Sequence, residues 1–419
     1  MPYTSLEEAL ATLSRSLGLV SRRELVALDD AFGRVLARDV LAKEDSPRRD
    51  VSHFDGFAIR SDDTLSASIE SPAVLTVGGG ARTVGVLPRV KVGHGQAAKV
   101  LTGGYVPLGA DAVVPVEEAS TRASGIAVSR RVERGEHVYP AGADVKKGHA
   151  VLRACRTLMG QDLALLASLH VQDVLVFKRP RVAIIPTGSE LTSKIGDRHS
   201  GKVVESHSLL LRHLVEEAGG SAHVLPIVPD ERLALSLALR GALKRSEIVL
   251  TLAGSSVGEP DIVEPVILGF GKSTTVMIHG IKVNRGRVMG VAVVAAKPVV
   301  ILPGPIQGAL NAFIVFGYPL IRYHLSMGLE HPPTVDAVVT EDWEATGKFK
   351  SFDQIVYMTL RRGPGDPTTL MATPASGETE KVSFLVSKNA YALVSGRNPR
   401  LTKGERIQAH VLPGFSRLE

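Results

Sequence analysis

The spacing of hydrophobic positions changes along the chain and divides it into regions. Apolar residues recur at helical spacing over residues 5–17, where Ser5 is a candidate N-cap, and again over residues 157–171. Over residues 50–140, short β-branched runs are separated by Gly-rich turns. This pattern predicts a helix at each end of a small β domain.

The clearest pattern covers residues 181–327, where strand-like and helix-like runs alternate. The runs RVAIIPTG, SAHVLPIV, EIVLTLAG, TTVMIHGI and KPVVILPG are typical of strands, and helical runs lie between several of them. Alternation at this spacing predicts a mainly parallel, doubly wound α/β sheet. In such a sheet, ligands bind beyond the carboxyl ends of the strands.

Beyond the prolines of residues 331–333, the pattern is again that of β structure. Five runs, TVDAVVTEDW, DQIVYMTLRR, KVSFLVS, AYALVSG and ERIQAHVL, predict five short strands. They indicate a small C-terminal barrel or sandwich.

Composition narrows the class of protein. A chain of 419 residues exceeds what one hydrophobic core usually serves, so two to four domains are expected. The net charge of +6 suits anionic partners. We expect no nucleic-acid partner, because the chain shows no block of like charge, no zinc-finger spacing and no aromatic-rich basic stretch.

Cysteine usage and the longest apolar tract bear on location. The single cysteine, Cys155, excludes an intramolecular disulfide and fits a reducing compartment. The N-terminus shows no apolar signal segment, and the most apolar tract, residues 288–302, is shorter than the ~20 residues of a membrane span. We therefore expect a cytoplasmic protein with no membrane partner.

Three ends of the predicted α/β strands share one kind of sequence: PTGSEL, LAGSSVGEPD and LPGPIQG. Each contains glycine, and successive backbone N–H groups in such loops bind phosphate. Glu190, Glu259 and Asp261 place carboxylates beside them. This combination suggests a phosphoester ligand with a divalent cation. The structural alternative is that glycine makes the turns while Glu259 and Asp261 favour a helix N-terminus.

Six segments in order make the chain recognisable. SHFDGFA, LTGGYVPLGADAVVPVEEA, AGADVKKG, TGSEL, AGSSVGEPD and LPGPIQGA resemble motifs of the molybdopterin molybdenumtransferase family, which includes the E domain of gephyrin. The resemblance covers nearly the whole chain.

The resemblance implies a fold of four domains. Domain I is discontinuous, over residues 1–50 and 141–178, and domain II is a small β domain over residues 51–140 inserted within it. Domain III, residues 179–329, is the α/β molybdopterin-binding-like domain, and domain IV, residues 330–419, is a small β barrel. Members are homodimers, with the active site between domain III of one subunit and the β-rich N-terminal part of the other.

The implied activity is the final step of molybdenum cofactor biosynthesis. Molybdenum, or tungsten, is inserted into adenylylated molybdopterin and AMP is released. Molybdate or tungstate is the metal substrate, Mg²⁺ or alternatively Zn²⁺ assists, and a molybdopterin adenylyltransferase is a candidate partner.

The resemblance also assigns site residues. The catalytic set is Asp55, Thr102, Asp144, Glu190 and Asp261, with Glu190 and Asp261 as metal ligands. The set predicted to bind substrate or phosphate is Thr187, Gly188, Gly254, Ser255, Ser256, Gly258, Lys282, Arg287, Pro303 and Gly304.

Several positions depart from the family pattern. Ser189 replaces an acid, residues 205–207 read Glu-Ser-His instead of Asp-[ST]-Asn, and Pro305 with Ile306 replaces Asn-Pro. Residues 284–288 read Asn-Arg-Gly-Arg-Val in place of a Lys-Pro-Gly-Lys-Pro loop. Because arginine forks onto oxyanions while lysine is a compact charge, the anion-binding geometry changes.

These departures allow an altered substrate or metal preference, a different rate, or loss of activity. Three functional readings therefore stay open. The first is the enzyme described above, and the second is a non-catalytic paralogue that acts as a pterin-binding or scaffold protein. The third reading is adenylylation of molybdopterin, the preceding step. The large N-terminal and C-terminal parts disfavour that third reading, because proteins of that step resemble domain III alone.

Overall fold

The structure is a computed structural model that describes residues 3–18, 21–79, 84–196, 201–252, 262–363, 368–375 and 381–412. The chain forms two compact units. The larger unit comprises Met1–Leu25, Gly33–Val35 and Leu175–Glu419, and the smaller unit comprises Val26–Phe32 and Leu36–Val174. The division into four domains stays a prediction.

The helices agree with most of the predicted helical runs. They are α1 (Leu6–Ser16), α2 (Gly160–Ser168), α3 (His207–Glu217), α4 (Arg232–Arg245), α5 (Val263–Leu268), α6 (Ile306–Ala312), α7 (Tyr318–His324) and α8 (Val382–Val386). A π-helical turn, Phe313–Gly317, joins α6 to α7. Among the described residues, no helix is both long and apolar enough to cross a membrane.

Many of the strands are short. They are β1 (Arg23–Ala27), β2 (Val40–Leu41), β3 (Val51–Ser52), β4 (Gly56–Ile59), β5 (Ala73–Gly78), β6 (Gln96–Val100), β7 (Ala112–Pro115), β8 (Ala119–Arg122), β9 (Gly125–Val128), β10 (Val138–Tyr139), β11 (Ala150–Leu152), β12 (Asp173–Phe177), β13 (Arg181–Pro186), β14 (Leu191–Thr192), β15 (Val203–Val204), β16 (Ser221–Val224), β17 (Ile248–Leu252), β18 (Thr274–His279), β19 (Gly290–Val294), β20 (Lys297–Leu302), β21 (Thr334–Val339), β22 (Trp343–Glu344), β23 (Gln354–Arg362), β24 (Leu370–Pro374), β25 (Ala390–Val394), β26 (Arg400–Leu401) and β27 (Arg406–Val411).

The smaller unit is built on a six-stranded sheet in the order β7-β4-β6-β5-β9-β8. Gly56 lies in β4 between β6 and β7, and a Cβ atom there would come 2.1 Å from the Val114 carbonyl oxygen. Only glycine therefore fits this close backbone approach. The small β domain predicted from the sequence is confirmed here.

The larger unit contains a six-stranded mixed sheet in the order β16-β13-β17-β20-β19-β18. The first four strands are parallel to one another, β19 is antiparallel to β20, and β18 is antiparallel to β19. Helices α4 and α5 pack against it through Leu235, Leu239 and Ile267. Because β17 and β19 are buried throughout, they read as continuous apolar runs instead of alternating ones. The predicted α/β domain is confirmed.

One strand of this sheet, β19, was not predicted. It forms a hairpin with β20 through Ala295 and Ala296, whose φ angles are 50° and 60°. Two-residue hairpin turns with positive φ usually contain glycine or asparagine. Two alanines carry no such turn signal, so the tract looked like one apolar run.

The C-terminal residues of the larger unit form a closed barrel of β21, β24, β23, β25 and β27, as predicted in number and type. One assignment was wrong: KVSFLVS forms helix α8, and the fifth strand is β24. Within α8 only Leu385 is buried, whereas Val382 and Val386 are exposed. With Leu385 as its single buried residue, this segment forms a short helix instead of a pleated strand, despite its β-branched composition.

Helix α1 belongs to the larger unit. The Ser5 side chain accepts a hydrogen bond from the Glu8 backbone N–H at 3.2 Å, which confirms the predicted cap. Ala9 and Leu13 are buried, and the segment before the helix is fixed by a bridge between Thr4 and Ile281.

Candidate active site

A cleft lies beyond the carboxyl ends of β13, β17 and β20. Its volume is about 440 Å³, and the described residues that line it include Thr187, Glu190, Glu205, His207 and Gly304. All of them belong to the larger unit. This is the edge at which ligands of a doubly wound sheet bind.

Thr187 gives this cleft an unpaired buried hydroxyl. Its backbone N–H donates to the Leu252 carbonyl at 2.9 Å, and the next N–H, of Gly188, donates to Val228 at 3.0 Å. The Thr187 residue is only 2% exposed, yet its Oγ1 has no hydrogen-bond partner among the described residues. An unpaired buried hydroxyl costs about 1–3 kcal/mol, so a ligand that bonds to it gains affinity.

Ser189, which replaces an acid of the family pattern, pairs with Asp230. The Ser189 backbone N–H donates to the Asp230 carboxylate at 2.9 Å, and the Asp230 N–H donates to Ser189 Oγ at 3.2 Å. An acid at position 189 would face the Asp230 carboxylate. The sequence analysis did not single out Asp230, because its pairing with Ser189 across 41 residues depends on the fold.

Glu205 and His207 contribute the other titratable groups. Glu205 accepts from the Ser208 backbone N–H at 2.9 Å and from the Ser208 hydroxyl, so it caps the start of α3. Burial lowers the pKa of His207, and the nearby Glu205 carboxylate opposes that shift only in part. His207 is therefore a neutral imidazole near pH 7.

The oxygen donors of the cleft suit a hard divalent cation. Glu190 is exposed and Glu205 is half-buried, and carboxylate oxygens are the ligands that Mg²⁺ prefers. Within the described ranges, no group of three or more His, Cys, Asp or Glu side chains is placed to hold a metal ion. The described part of the cleft thus fits the predicted cation site without completing it.

Several predicted site residues lie outside the described residues. They are Gly254, Ser255, Ser256, Gly258 and Asp261, together with Glu259.

The loop at residues 284–288 contacts the barrel residues of the same unit. Asn284 Nδ2 donates to Gln354 Oε1 at 2.8 Å, and the Arg287 guanidinium lies 3.9 Å from the centre of the Phe349 ring. Lys282 is exposed. None of the described residues of this loop lines the 440 Å³ cleft.

The segment before α6 does reach that cleft. Gly304 and Pro305 line it, while Pro303 is buried behind them. Pro305 is the N-cap residue of α6, and Ile306 is its first residue and is buried. The Pro305-Ile306 departure is thus accommodated as an ordinary helix start.

In the smaller unit, the structure brings Asp55 and Thr102 together. Asp55 Oδ1 accepts from the Thr102 backbone N–H at 2.6 Å and from its hydroxyl at 2.8 Å. These bonds lower the pKa of Asp55, and the charge of Lys99 adds to the effect. Asp55 is therefore an exposed carboxylate held in its ionised form.

Asp144 is exposed in the same unit, and its backbone N–H donates to Ser46 at 3.0 Å. No hydrogen bond or ion pair between described residues joins Asp144 to Asp55 or Thr102.

The mixed sheet, with helices packed against it and a cleft beyond the carboxyl ends of its strands, is that of the doubly wound class of α/β proteins. Two family profiles match the chain. "MoeA N-terminal region (domain I and II)" matches residues 4–169, and "Probable molybdopterin binding domain" matches residues 183–323.

Individual relatives extend the match over most of the chain. A molybdopterin molybdenumtransferase of Bacillus subtilis is 29% identical over 394 residues, which cover 92% of this chain and 89% of the relative. One of Nostoc sp. is 31% identical over 330 residues, which cover 77% and 75%. The crystal structure of the molybdopterin biosynthesis moeA protein from Pyrococcus horikoshii OT3 gives a TM-score of 0.83 at 28% identity, covering 98% of this chain and 100% of that one.

This chain belongs to the molybdopterin molybdenumtransferase family.

Proposed function

We propose that this chain is a transferase that inserts molybdenum into molybdopterin. The observation that carries the proposal is the cleft at the carboxyl edge of the sheet, with the unpaired Thr187 hydroxyl inside it. Relatives that bear the name of this enzyme align over most of the chain. A non-catalytic pterin-binding or scaffold role is not favoured.

The finer proposal concerns the substrates. Adenylylated molybdopterin and molybdate, or tungstate, enter, and AMP leaves. The Thr187 hydroxyl bonds to the phosphate, because the backbone N–H groups of Thr187 and Gly188 already donate to Leu252 and Val228. Gly254, Ser255, Ser256 and Gly258 stay in the predicted phosphate-binding set. Lys282 and Arg287 add positive charge that attracts the anionic substrate.

Glu190 and Asp261 are the residues that we propose to hold Mg²⁺. Zn²⁺ is the alternative, and the oxygen donors of Glu190 and Glu205 favour Mg²⁺. When bound, such a cation neutralises charge on phosphoryl oxygens.

Asp55, Thr102 and Asp144 complete the proposed catalytic set. Because Thr102 keeps Asp55 ionised, Asp55 is suited to accept a proton or to orient a polarised oxygen. The role of Asp144 rests on the resemblance alone.

A pair of isosteric variants tests whether the Thr187 hydroxyl in the cleft binds the substrate. Thr187→Val removes a buried hydroxyl that has no partner among the described residues, so thermal stability should be kept or slightly raised. AMP release from adenylylated molybdopterin, with molybdate and Mg²⁺ but no ATP, should fall by about tenfold or more because a substrate hydrogen bond is lost.

Thr251→Val is the matched control. Thr251 Oγ1 donates to the Val300 carbonyl at 3.3 Å inside the same sheet, and Thr251 does not line the cleft. This variant should lose roughly 1 kcal/mol of stability and keep its activity. If Thr187→Val destabilises the protein and leaves AMP release unchanged, the cleft is not the site.

A homodimer, a contact with the adenylyltransferase and a cytoplasmic location stay predictions. Light scattering after size-exclusion chromatography should give about twice the 44.5 kDa of one chain if the dimer forms.

A further inference from the structure

A second, smaller cleft lies at the amino ends of the strands of the same sheet, opposite the candidate active site. It is found where β13 begins, and Glu247, directly before β17, also lines it. The six residues of β13, at ~3.3 Å each, separate this edge from the candidate active site by on the order of 20 Å. The two clefts are therefore different sites in one unit.

Positive charge dominates this second cleft. Its lining includes four cationic side chains: Arg22, Lys178, Arg179 and Arg181. Among the described lining residues, Glu247 is the carboxylate that faces them. The cluster therefore carries a surplus of positive charge.

Glu247 is already shared between two arginines. Its Oε2 accepts from the Arg181 backbone N–H at 2.8 Å and lies 3.6 Å from Arg181 Nε, while its Oε1 lies 3.8 Å from Arg22 Nη1. These bonds fix Arg22 and Arg181 at the edge of the cleft. No carboxylate of the described lining is then left to pair with Lys178 or Arg179.

Arg179 is the unusual member of the cluster. It is half-buried and forms no ion pair with a carboxylate of the described residues. Burial and the nearby charge of Arg34 lower the pKa of Arg179, and the carboxylates of Glu216 and Glu24 oppose that shift only in part. A partly desolvated cation that forms no direct ion pair within the described ranges is costly, and an anion in the cleft lowers that cost.

The size of the cleft limits the ligand. Its volume is about 30 Å³, whereas pockets for drug-sized ligands are about 300–1,000 Å³. The space accommodates one small group and excludes a whole nucleotide or pterin.

We propose that this cleft binds a tetrahedral oxyanion, with Arg179 as its principal partner and Arg181 and Lys178 beside it. A guanidinium fork matches such an anion through paired N–H groups. The same chemistry is offered by inorganic phosphate and by molybdate, and the measurements below separate these two sources.

Anomalous scattering from crystals soaked in tungstate locates the anion. A peak is expected beside Arg179 in the wild type and in Arg406→Gln, which removes one exposed charge from the barrel of the same unit. The peak should be absent in Arg179→Gln. Lys178→Gln, an exposed position, should weaken the peak and serves as the second variant if Arg179→Gln does not fold.

Calorimetric titration at constant ionic strength gives the affinity. Phosphate and molybdate are titrated separately, and Arg179→Gln should weaken binding at this site by roughly tenfold or more relative to Arg406→Gln. Tighter binding of molybdate assigns the metal substrate as the source, and tighter binding of phosphate assigns inorganic phosphate.

Three results would overturn the proposal. The wild-type crystals show no peak in this cleft, or the peak is equally strong in Arg179→Gln. The third is that titration in solution detects no binding of phosphate or molybdate at this site and detects binding only of a polyanion such as heparin. The cluster would then be a docking surface for an acidic macromolecule. None of these results bears on AMP release by the candidate active site.

Discussion

The Asp55 turn of the smaller unit and the loop at residues 284–288 of the larger unit both resemble family motifs, but only the first keeps the family residues. In the Asp55 turn, two hydrogen bonds from Thr102 hold the carboxylate. In the loop, Asn284 bonds to Gln354 and Arg287 stacks on Phe349.

The difference shows two ways in which a motif is kept in place. The retained acid Asp55 is fixed by Thr102, which belongs to a second retained motif 47 residues further along the chain. The changed loop is fixed by the contacts of Asn284 with Gln354 and of Arg287 with Phe349. We therefore expect the departures to alter rate or affinity while the fold stays intact.

The largest effect should come from the retained turn. Asp55→Asn is nearly isosteric but removes the charge that Thr102 stabilises, and loss of a positioned acid–base group typically costs about 10²–10⁴ in rate. AMP release should fall by about that range, with thermal stability almost unchanged. Asp62→Asn, an exposed acid of the same unit, is the control and should keep full activity. An Asp55→Asn variant with normal turnover would remove the turn from the site.

The second-largest effect is expected at Gly56, the residue after Asp55, where the backbone packs closely against β7. In Gly56→Ala, the new Cβ would lie 2.1 Å from the Val114 carbonyl oxygen, so the sheet must shift. Unfolding in urea should show a loss of about 1–3 kcal/mol.

Gly160→Ala, at the start of α2, provides the matched control because no atom lies within 4 Å of the added Cβ. Its stability should be unchanged or higher by about 0.4–1 kcal/mol. Equal stabilities for the two variants would contradict the close approach of the Val114 carbonyl oxygen to Gly56.

A smaller effect is expected in the changed loop. Asn284→Ala leaves Gln354 Oε1 without its donor, and Gln354 is 4% exposed, so the free energy of unfolding should drop by about 1 kcal/mol. The KM for adenylylated molybdopterin should rise severalfold with a small change in kcat. Asn398→Ala, an exposed barrel position, should stay within about 0.5 kcal/mol of the wild type. Identical stability of the two variants would mean that the Asn284 bond does not anchor the loop.

The smallest effect concerns pH. Thr102→Val removes the hydroxyl donor and keeps the backbone N–H, so the pKa of Asp55 should rise toward its ordinary value. Because the folded-state pKa of Asp55 is lowered, its contribution to stability is present above the ordinary value of about 4 and is lost as the pH falls through the folded-state pKa. Carbon-13 NMR of the Asp55 carboxyl group measures the shift. A pKa that does not move would show that the hydroxyl bond is unimportant.

Regular patterns made much of the fold predictable. The buried strands β13 and β17 and the helices α3 and α4 follow from period and length alone. The α8 segment and β19 could not be predicted, because burial of Leu385 and the Ala295-Ala296 turn are decided by tertiary packing.

Individual residues of the candidate site, such as Asp55 and Thr102, could be assigned from recognised motifs. Their hydrogen bonds to each other span 47 residues and were not predicted. Long-range contacts left no sequence signal: the bonds between Ser189 and Asp230, and the stacking of Arg287 on Phe349, depend on how distant segments meet. The lack of a partner for Thr187 Oγ1 within the described part of the chain is likewise a property of packing.

The most direct measurement of the central claim is the yield of metallated pterin per AMP. Pure protein is incubated with adenylylated molybdopterin, molybdate and Mg²⁺, and the pterin product and AMP are separated and quantified, with molybdenum determined by mass spectrometry. Molybdenum insertion predicts equimolar molybdenum on the pterin and free AMP, neither of which forms in Glu190→Gln. AMP release without molybdenum on the pterin, or no AMP with molybdate or tungstate, would contradict the claim.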